Sequence, residues 1–235
     1  MNMRNFTQKV FFSGFTILMA INFNLQAQDE TPQKAQIEKA KQKYNRSMRY
    51  NDLAVAKDAL YDLIVLEPNN NSYLDSLAYM YFEFNQYASA ALVSRDALSR
   101  NPNNQTLMQI SAKSLDQLGA LEQALKMYQK LYNISDDASV LFEIIQKQYD
   151  LKQYDDAMIN TELLLGKRMV DGSNVYAQDA EGNEIEVPFK AVIKNVQGMI
   201  AREQGDEESA KKYFNSALSL APNYALPKEN LNPKD

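Results

Sequence analysis

The sequence predicts an all-α chain of five stacked helix-turn-helix units, interrupted once by a β-hairpin. Three observations carry that prediction. Alanine recurs in register at Ala56, Ala90, Ala124, Ala157 and Ala210, with separations of 34, 34, 33 and 53 residues. Pro68 and Pro102 repeat the 34-residue step. Gly and Pro number only 7 each in 235 residues, so turns are few and regular elements long.

Each alanine sits in the same local grammar. Three residues before it stands Leu53, Tyr87, Leu121, Tyr154 or Glu207, and a second inward position follows at Leu63, Ala97, Leu131, Leu163 or Ala217. A turn dipeptide precedes each second helix: Asn51-Asp52, Asn85-Gln86, Gly119-Ala120, Lys152-Gln153 and Gly205-Asp206. Twelve residues after the alanine stands Pro68, Pro102 or Pro222, with Asp136 there in the third unit. Two amphipathic helices of about 13 residues crossing over a short turn explain this spacing. Only a small side chain fits where they cross, and proline stops the second helix. One such hairpin cannot bury its apolar face alone, so the units stack into a superhelix.

These residues resemble the tetratricopeptide-repeat family. The clearest unit is 71–104, with Leu77-Ala78, Tyr81, Tyr87, Ala90, Ala97-Leu98 and Pro102. The resemblance implies a right-handed superhelix with units at 37–70, 71–104, 105–137, 138–165 and 191–224. Tyr44 and Ile145 depart from the small residue usual in the first helix, and Glu207 from the usual aromatic. Residues 225–235 hold Pro227 and Pro233, so at most a short capping turn is expected there.

Residues 166–190 read differently. Gly166, Gly172 and Gly182 cluster here, Val175–Gln178 and Glu184–Val187 alternate like strands, and Asp179–Asn183 is turn chemistry. A β-hairpin between the fourth and fifth units follows, either reaching a partner or standing as a tolerated surface insertion. Asp179, Glu181, Asn183 and Glu184 place oxygens around a glycine, but their spacing does not match a twelve-residue calcium loop.

Residues 1–27 read as a secretory signal peptide. Arg4 and Lys9 precede an apolar run from Val10 to Phe23, and Ala27 is the small residue before the cut. The run is short for a membrane span. Cleavage after Ala27 predicts a periplasmic or secreted chain with no integral span, and residues 28–36 form a polar tether or helix lead-in. Loss of the leader removes two positive charges and no acid, taking the net charge from −5 to −7. Such an acidic chain lacks the basic footprint that nucleic acid requires.

No Cys and no His are present. That removes disulfides, thiolate nucleophiles, an N-terminal lipid anchor on Cys, the usual triads and the commonest metal ligands. Ser111, Lys113 and Ser114 fall in a helical repeat and read as solvated face residues, and Gly166-Lys167-Arg168 lacks the spacing of a phosphate loop. Acidic pairs such as Asp136-Asp137 and Asp155-Asp156 sit where carboxylates cap helix starts. The expectation is a protein without catalytic residues, cofactor or metal.

The resemblance implies that repeat positions 2, 5, 9 and 12 of each first helix line a concave groove. The candidate partner-binding residues are Lys41, Asn45 and Met48, then Asp75, Tyr79 and Phe82, then Gln109 and Lys113, then Gln146 and Tyr149. Val192, Asn195, Met199 and Arg202 hold the same positions in the fifth unit. Met48, Tyr79 and Phe82 would place thioether and aromatic surface in the groove, where such groups anchor partners. Lys41 and Asn45 match the start of the family's carboxylate clamp, but Ser76, Thr106 and Ile110 do not complete it. The expected function is a protein-interaction scaffold outside the cytoplasm that binds a protein or peptide and assists an envelope assembly. The alternative is a small-ligand or glycan module using Tyr79, Phe82 and Tyr149.

Overall fold

The computed structural model describes residues 31–232. The expected signal peptide and its cleavage point lie outside the described residues. Eleven α-helices and one two-stranded sheet make up the described residues. The helices run α1 (Pro32–Arg49), α2 (Leu53–Leu66), α3 (Ser72–Glu83), α4 (Tyr87–Arg100), α5 (Gln105–Gln117), α6 (Leu121–Ser135), α7 (Ala138–Asp150) and α8 (Tyr154–Leu165). A single 3-10 turn at Arg168–Val170 leads to β1 (Asn174–Gln178) and β2 (Glu184–Pro188). Then come α9 (Phe189–Glu203), α10 (Glu207–Leu220) and α11 (Ala225–Leu231).

Pairing within the hairpins follows from the alanines. Ala56, Ala90, Ala124, Ala157 and Ala210 are all fully buried. Every turn inside a hairpin places one residue in the left-handed region: Asn51, Asn85, Gly119, Lys152 and Gly205, at φ between 56° and 83°. Asn and Gly adopt this conformation readily, so four of the five turns are made of residues suited to them. Where the following residue is acidic it caps the second helix, Asp52 accepting from Val55 N–H and Asp206 from Ser209 N–H. Asn104 and Asp137 cap first helices in the same way.

Apolar surfaces then join unit to unit. Leu60 and Leu63 of α2 pack with Leu77 and Tyr81 of α3, and the cluster reaches Ile110 of α5. Tyr128 and Leu131 of α6 pack with Ala112 and Ile144. Leu164 and Ile145 meet Ile193 of α9 and Val170 of the 3-10 turn. In the fourth unit the inward residue is therefore Leu164, and Leu163 faces solvent. Leu164 stands seven residues after Ala157, the same offset as Leu63, Ala97, Leu131 and Ala217 from their alanines, whereas Leu163 stands six after it.

The hairpin does not project freely. β1 pairs antiparallel with β2, Tyr176 opposite Glu186. Ala177 and Val187 are buried, with Val175 and Ile185 beside them, against Val192 and Tyr224. The other face carries Tyr176, Gln178, Glu184 and Glu186 into solvent. This is the inside-outside alternation of a half-buried sheet. At the tip, the Asp179 carboxylate accepts N–H bonds from Glu181 and Asn183 and one from the Asn183 side chain. Its oxygens serve the turn, which lowers its pKa.

One expectation is corrected. The tail forms α11, a helix of 7 residues, where at most a capping turn was expected. Pro227 is buried in its first turn, where a proline has no helical N–H bond to lose. At the other end, α1 begins at Pro32, so most of the polar lead-in is already helix.

Candidate partner-binding groove

The first helices of successive units are α1, α3, α5, α7 and α9; polar joints link the first four, and another ties α9 to α11. Lys41 on α1 lies 3.5 Å from the Glu67 carboxylate, which also accepts from the Tyr73 hydroxyl on α3. Asn104, capping α5, donates to Asp75 on α3 at 3.1 Å. Lys147 on α7 donates to Asp116 on α5 at 2.6 Å. Arg202 on α9 donates to the Asn230 carbonyl on α11 at 2.6 Å, and the Asn230 side chain donates to Asn195 at 3.0 Å.

These joints use some candidate residues and leave others free. Lys41 is half-buried and held between Glu38 and Glu67. Asp75 is half-buried, one oxygen bonded to Asn104 and the other enclosed without a partner. Burial, partly offset by Asn104, holds its carboxyl above the ordinary value. Asn45, Gln109 and Gln146 are exposed. Lys113 is half-buried near Glu143.

Four candidates bring apolar or aromatic surface. Tyr79 is 51% exposed and Met48 41% exposed. Phe82, three residues on from Tyr79, is half-buried in the α1–α4 core and meets Tyr87 edge-on at 5.9 Å. Tyr149 is half-buried against Tyr154 at 5.7 Å, and burial raises its pKa, with Glu203 adding to it. The apolar run at 79–84 therefore splits: Met80 and Tyr81 enter the core, while Tyr79 and Phe84 remain exposed.

In the fifth unit the expected groove positions are not all open. Val192 and Asn195 are buried, because the sheet covers the first and α11 holds the second. Met199 and Arg202 stay half-buried. The accessible candidates thus come from α1, α3, α5 and α7. Phe142, at repeat position 5 of the fourth unit, packs edge-on against Phe189 at 5.2 Å and belongs to the core beneath the sheet.

A charged cluster went unnoticed in the sequence. Lys147 is buried, and burial opposes its charge. The Asp116 and Asp150 carboxylates outweigh that and hold the ammonium above its ordinary value. Glu143, one turn earlier on α7, has its pKa raised by burial and by Asp116, against Lys113 and Lys147. The only sequence signal is a Lys–Asp separation of 31 residues, close to one repeat. Among the described residues no three His, Cys, Asp or Glu side chains are grouped to hold a metal ion, and no helix is long and apolar enough to cross a membrane.

Residues 192–224 match a family model described as Tetratricopeptide repeat. The fold is that of a tetratricopeptide-repeat protein. Several solved tetratricopeptide-repeat structures are similar over most of the chain. A crystal structure of MamA aligns with a TM-score of 0.61 at 13% identity, over 85% of this chain and 97% of that one. YrrB, described as a TPR protein with an unusual peptide-binding site, aligns at 0.63 and 15% identity over 85% and 97%. MamA from Desulfovibrio magneticus RS-1 aligns at 0.58 and 12% over 82% and 97%. At these identities the likeness is one of fold. No curated protein matches the chain.

Proposed function

We propose that the chain is a non-catalytic scaffold that holds a protein or peptide segment against the first helices of units one to four. The observation that carries this reading is the side chain of Tyr79. It is half exposed on α3, one turn before half-buried Phe82, with exposed Met48 and Asn45 on α1 and exposed Gln109 and Gln146 on α5 and α7. Aromatic and thioether anchors ringed by polar side chains are what a peptide-binding groove offers. The peptide-binding site reported for YrrB on a similar fold supports the same reading.

The leader-like residues 1–27 support an extracytoplasmic location, and assistance to an envelope assembly is the role proposed there. The mature mass of the exported chain tests that part: a start at Gln28 supports it, and retention of Met1 overturns it.

The groove is tested by placing a photo-crosslinking side chain at Tyr79 and, separately, at Val65 on α2, which is 78% exposed. A partner captured from Tyr79 and not from Val65 supports the groove. Equal capture from both, or capture from neither, overturns it.

A further inference from the structure

The sheet offers a second binding surface, of a different kind from the groove. In an antiparallel pair, opposed residues alternate between those that exchange backbone hydrogen bonds and those that do not. Phe189 N–H donates to the Ser173 carbonyl at 2.8 Å and Asp179 N–H to the Asn183 carbonyl at 3.0 Å. With the register Asn174↔Pro188 through Gln178↔Glu184, the bonded pairs are the odd-numbered residues of β1. The backbone N–H and C=O groups of Asn174, Tyr176 and Gln178 therefore point outward, away from β2, and no described residue bonds them.

This edge is unprotected. Exposed edges are ordinarily blunted by lysine, proline or a bulge. The outer edge of β2 has Glu184, Glu186 and Pro188 and runs directly into α9. That of β1 has none of these devices: Asn174, Tyr176 and Gln178 are uncharged, exposed and in regular register. The edge is also set in an acidic field. Residues 171–188 contain Asp171, Asp179, Glu181, Glu184 and Glu186 and no Lys or Arg. Asp171 pairs with Lys190 and Asp179 serves the turn, whereas Glu181, Glu184 and Glu186 have no ion pair among the described residues.

We propose that β1 accepts an extended, basic peptide segment of a protein partner as a third strand. Main-chain bonds to Asn174, Tyr176 and Gln178 supply the docking, and the pleat supplies the selectivity. Residues of the added strand on the solvent face lie beside Tyr176, where Lys or Arg covers its ring and approaches Glu186. Residues on the opposite face lie beside Val175 and Ala177, where an apolar side chain extends the buried surface. The fitting segment alternates basic and apolar residues.

The test uses the full chain and an eight-residue peptide alternating Lys and Val, with the Glu–Val counterpart as control. Amide hydrogen exchange is read by NMR at Asn174, Tyr176 and Gln178. Slowed exchange at these amides with the Lys–Val peptide and not with the Glu–Val peptide is the expected result. Tyr176→Pro removes an outward N–H without touching the β1–β2 bonds, and proline is tolerated at such a position. It is expected to weaken binding about tenfold, as is Gln178→Pro, while the circular dichroism spectrum is kept. The double change Glu184→Gln with Glu186→Gln is expected to weaken binding and flatten its salt dependence. Unslowed exchange, equal binding of the two peptides, or unchanged affinity in both proline variants overturns the proposal. Slowed exchange that grows with protein concentration in the absence of peptide assigns the edge to a second copy of this chain and equally overturns it.

Discussion

Gly198 of α9 and Phe214 of α10 leave no space between them for a methyl group. A Cβ at position 198 would lie 2.5 Å from Cε1, 2.6 Å from Cδ1 and 2.9 Å from Cζ of the ring. Phe214 is fully buried and carries the Arg202 guanidinium over its ring at 4.8 Å, so it cannot swing away cheaply. Gly198→Ala is expected to destabilise the chain by about 1–3 kcal/mol, the cost of overpacking a filled core. Chemical denaturation measures it. A substitution within about 0.5 kcal/mol of the parent would show that α9 and α10 separate easily.

Lys152 is the one turn residue ill suited to its backbone. Its φ is 58°, in company with Asn51, Asn85, Gly119 and Gly205. A side chain with a Cβ costs about 1–2 kcal/mol there, while glycine enlarges the freedom of the unfolded chain. Lys152→Gly is expected to raise stability by about 0.5–1 kcal/mol net. Lys152→Val should lower it, since a β-branched residue fits that conformation worst. Thermal unfolding of both variants checks the sign.

The Lys147–Asp116 contact joins α7 to α5 with little exposure on the lysine side. Removing the ammonium leaves Asp116 without its partner and Glu143 without one of its two nearby cations. Lys147→Met is expected to cost about 2 kcal/mol, below the range for a fully enclosed pair because Asp116 retains some solvent. In Asp116→Asn with Lys147→Met the loss should be smaller than the sum of the singles, which a double-mutant cycle reads directly.

Glu143 sets a pH dependence. Its folded pKa is raised above the ordinary 4.5, with Lys113, Lys147 and Asp116 as the charges facing it. A raised carboxyl binds its proton more tightly when folded. Its contribution is therefore favourable below the ordinary value and is lost as pH rises through the folded value. Glu143→Gln is expected to flatten that loss and to raise the unfolding midpoint at neutral pH. A pH series of unfolding midpoints on the two proteins tests this, and parallel curves would assign the dependence elsewhere.

Tyr79 and Phe82 separate groove from core. Tyr79→Ala is expected to change stability by no more than about 0.5 kcal/mol, because the side chain is half exposed and packs little. Phe82→Ala should cost about 2–3 kcal/mol, since its ring packs against the core of the first units and against Tyr87. Loss of partner binding in Tyr79→Ala can then be read without a folding correction.

The repeat was legible because its determinants are local. A fully buried alanine and a left-handed turn residue are steric demands placed on single positions, and they recur at fixed offsets. The strand alternation of Val175, Ala177, Ile185 and Val187 was legible for the same reason, although nothing in it showed which surface would receive the apolar face. The joints were not legible. Asp75 pairs with Asn104 and Lys147 with Asp116 because of superhelical stacking, which has no signature in either residue's neighbourhood. Nor was the covering of Asn195, which depends on α11 and hence on reading Pro227 as a first-turn residue instead of a breaker. At the groove, the spacing placed Tyr79 and Phe82 on one helix face, and a three-residue rotation decided that one lies open and the other is half enclosed.

The bond from Phe189 N–H to the Ser173 carbonyl ties the strands together at the foot of the sheet, just where the chain re-enters α9. Beyond that tie the strands leave the helical path and stay joined to it through one packed face, Ala177 and Val187 against Val192 and Tyr224. Residues added or removed at the Glu181-Gly182 tip lie beyond Gln178 and Glu184, the last paired residues, and leave the packed face of Ala177 and Val187 in place. The molecule thus possesses one address at which length can drift, or a foreign domain be grafted, while the spacing of the other units stays as it was.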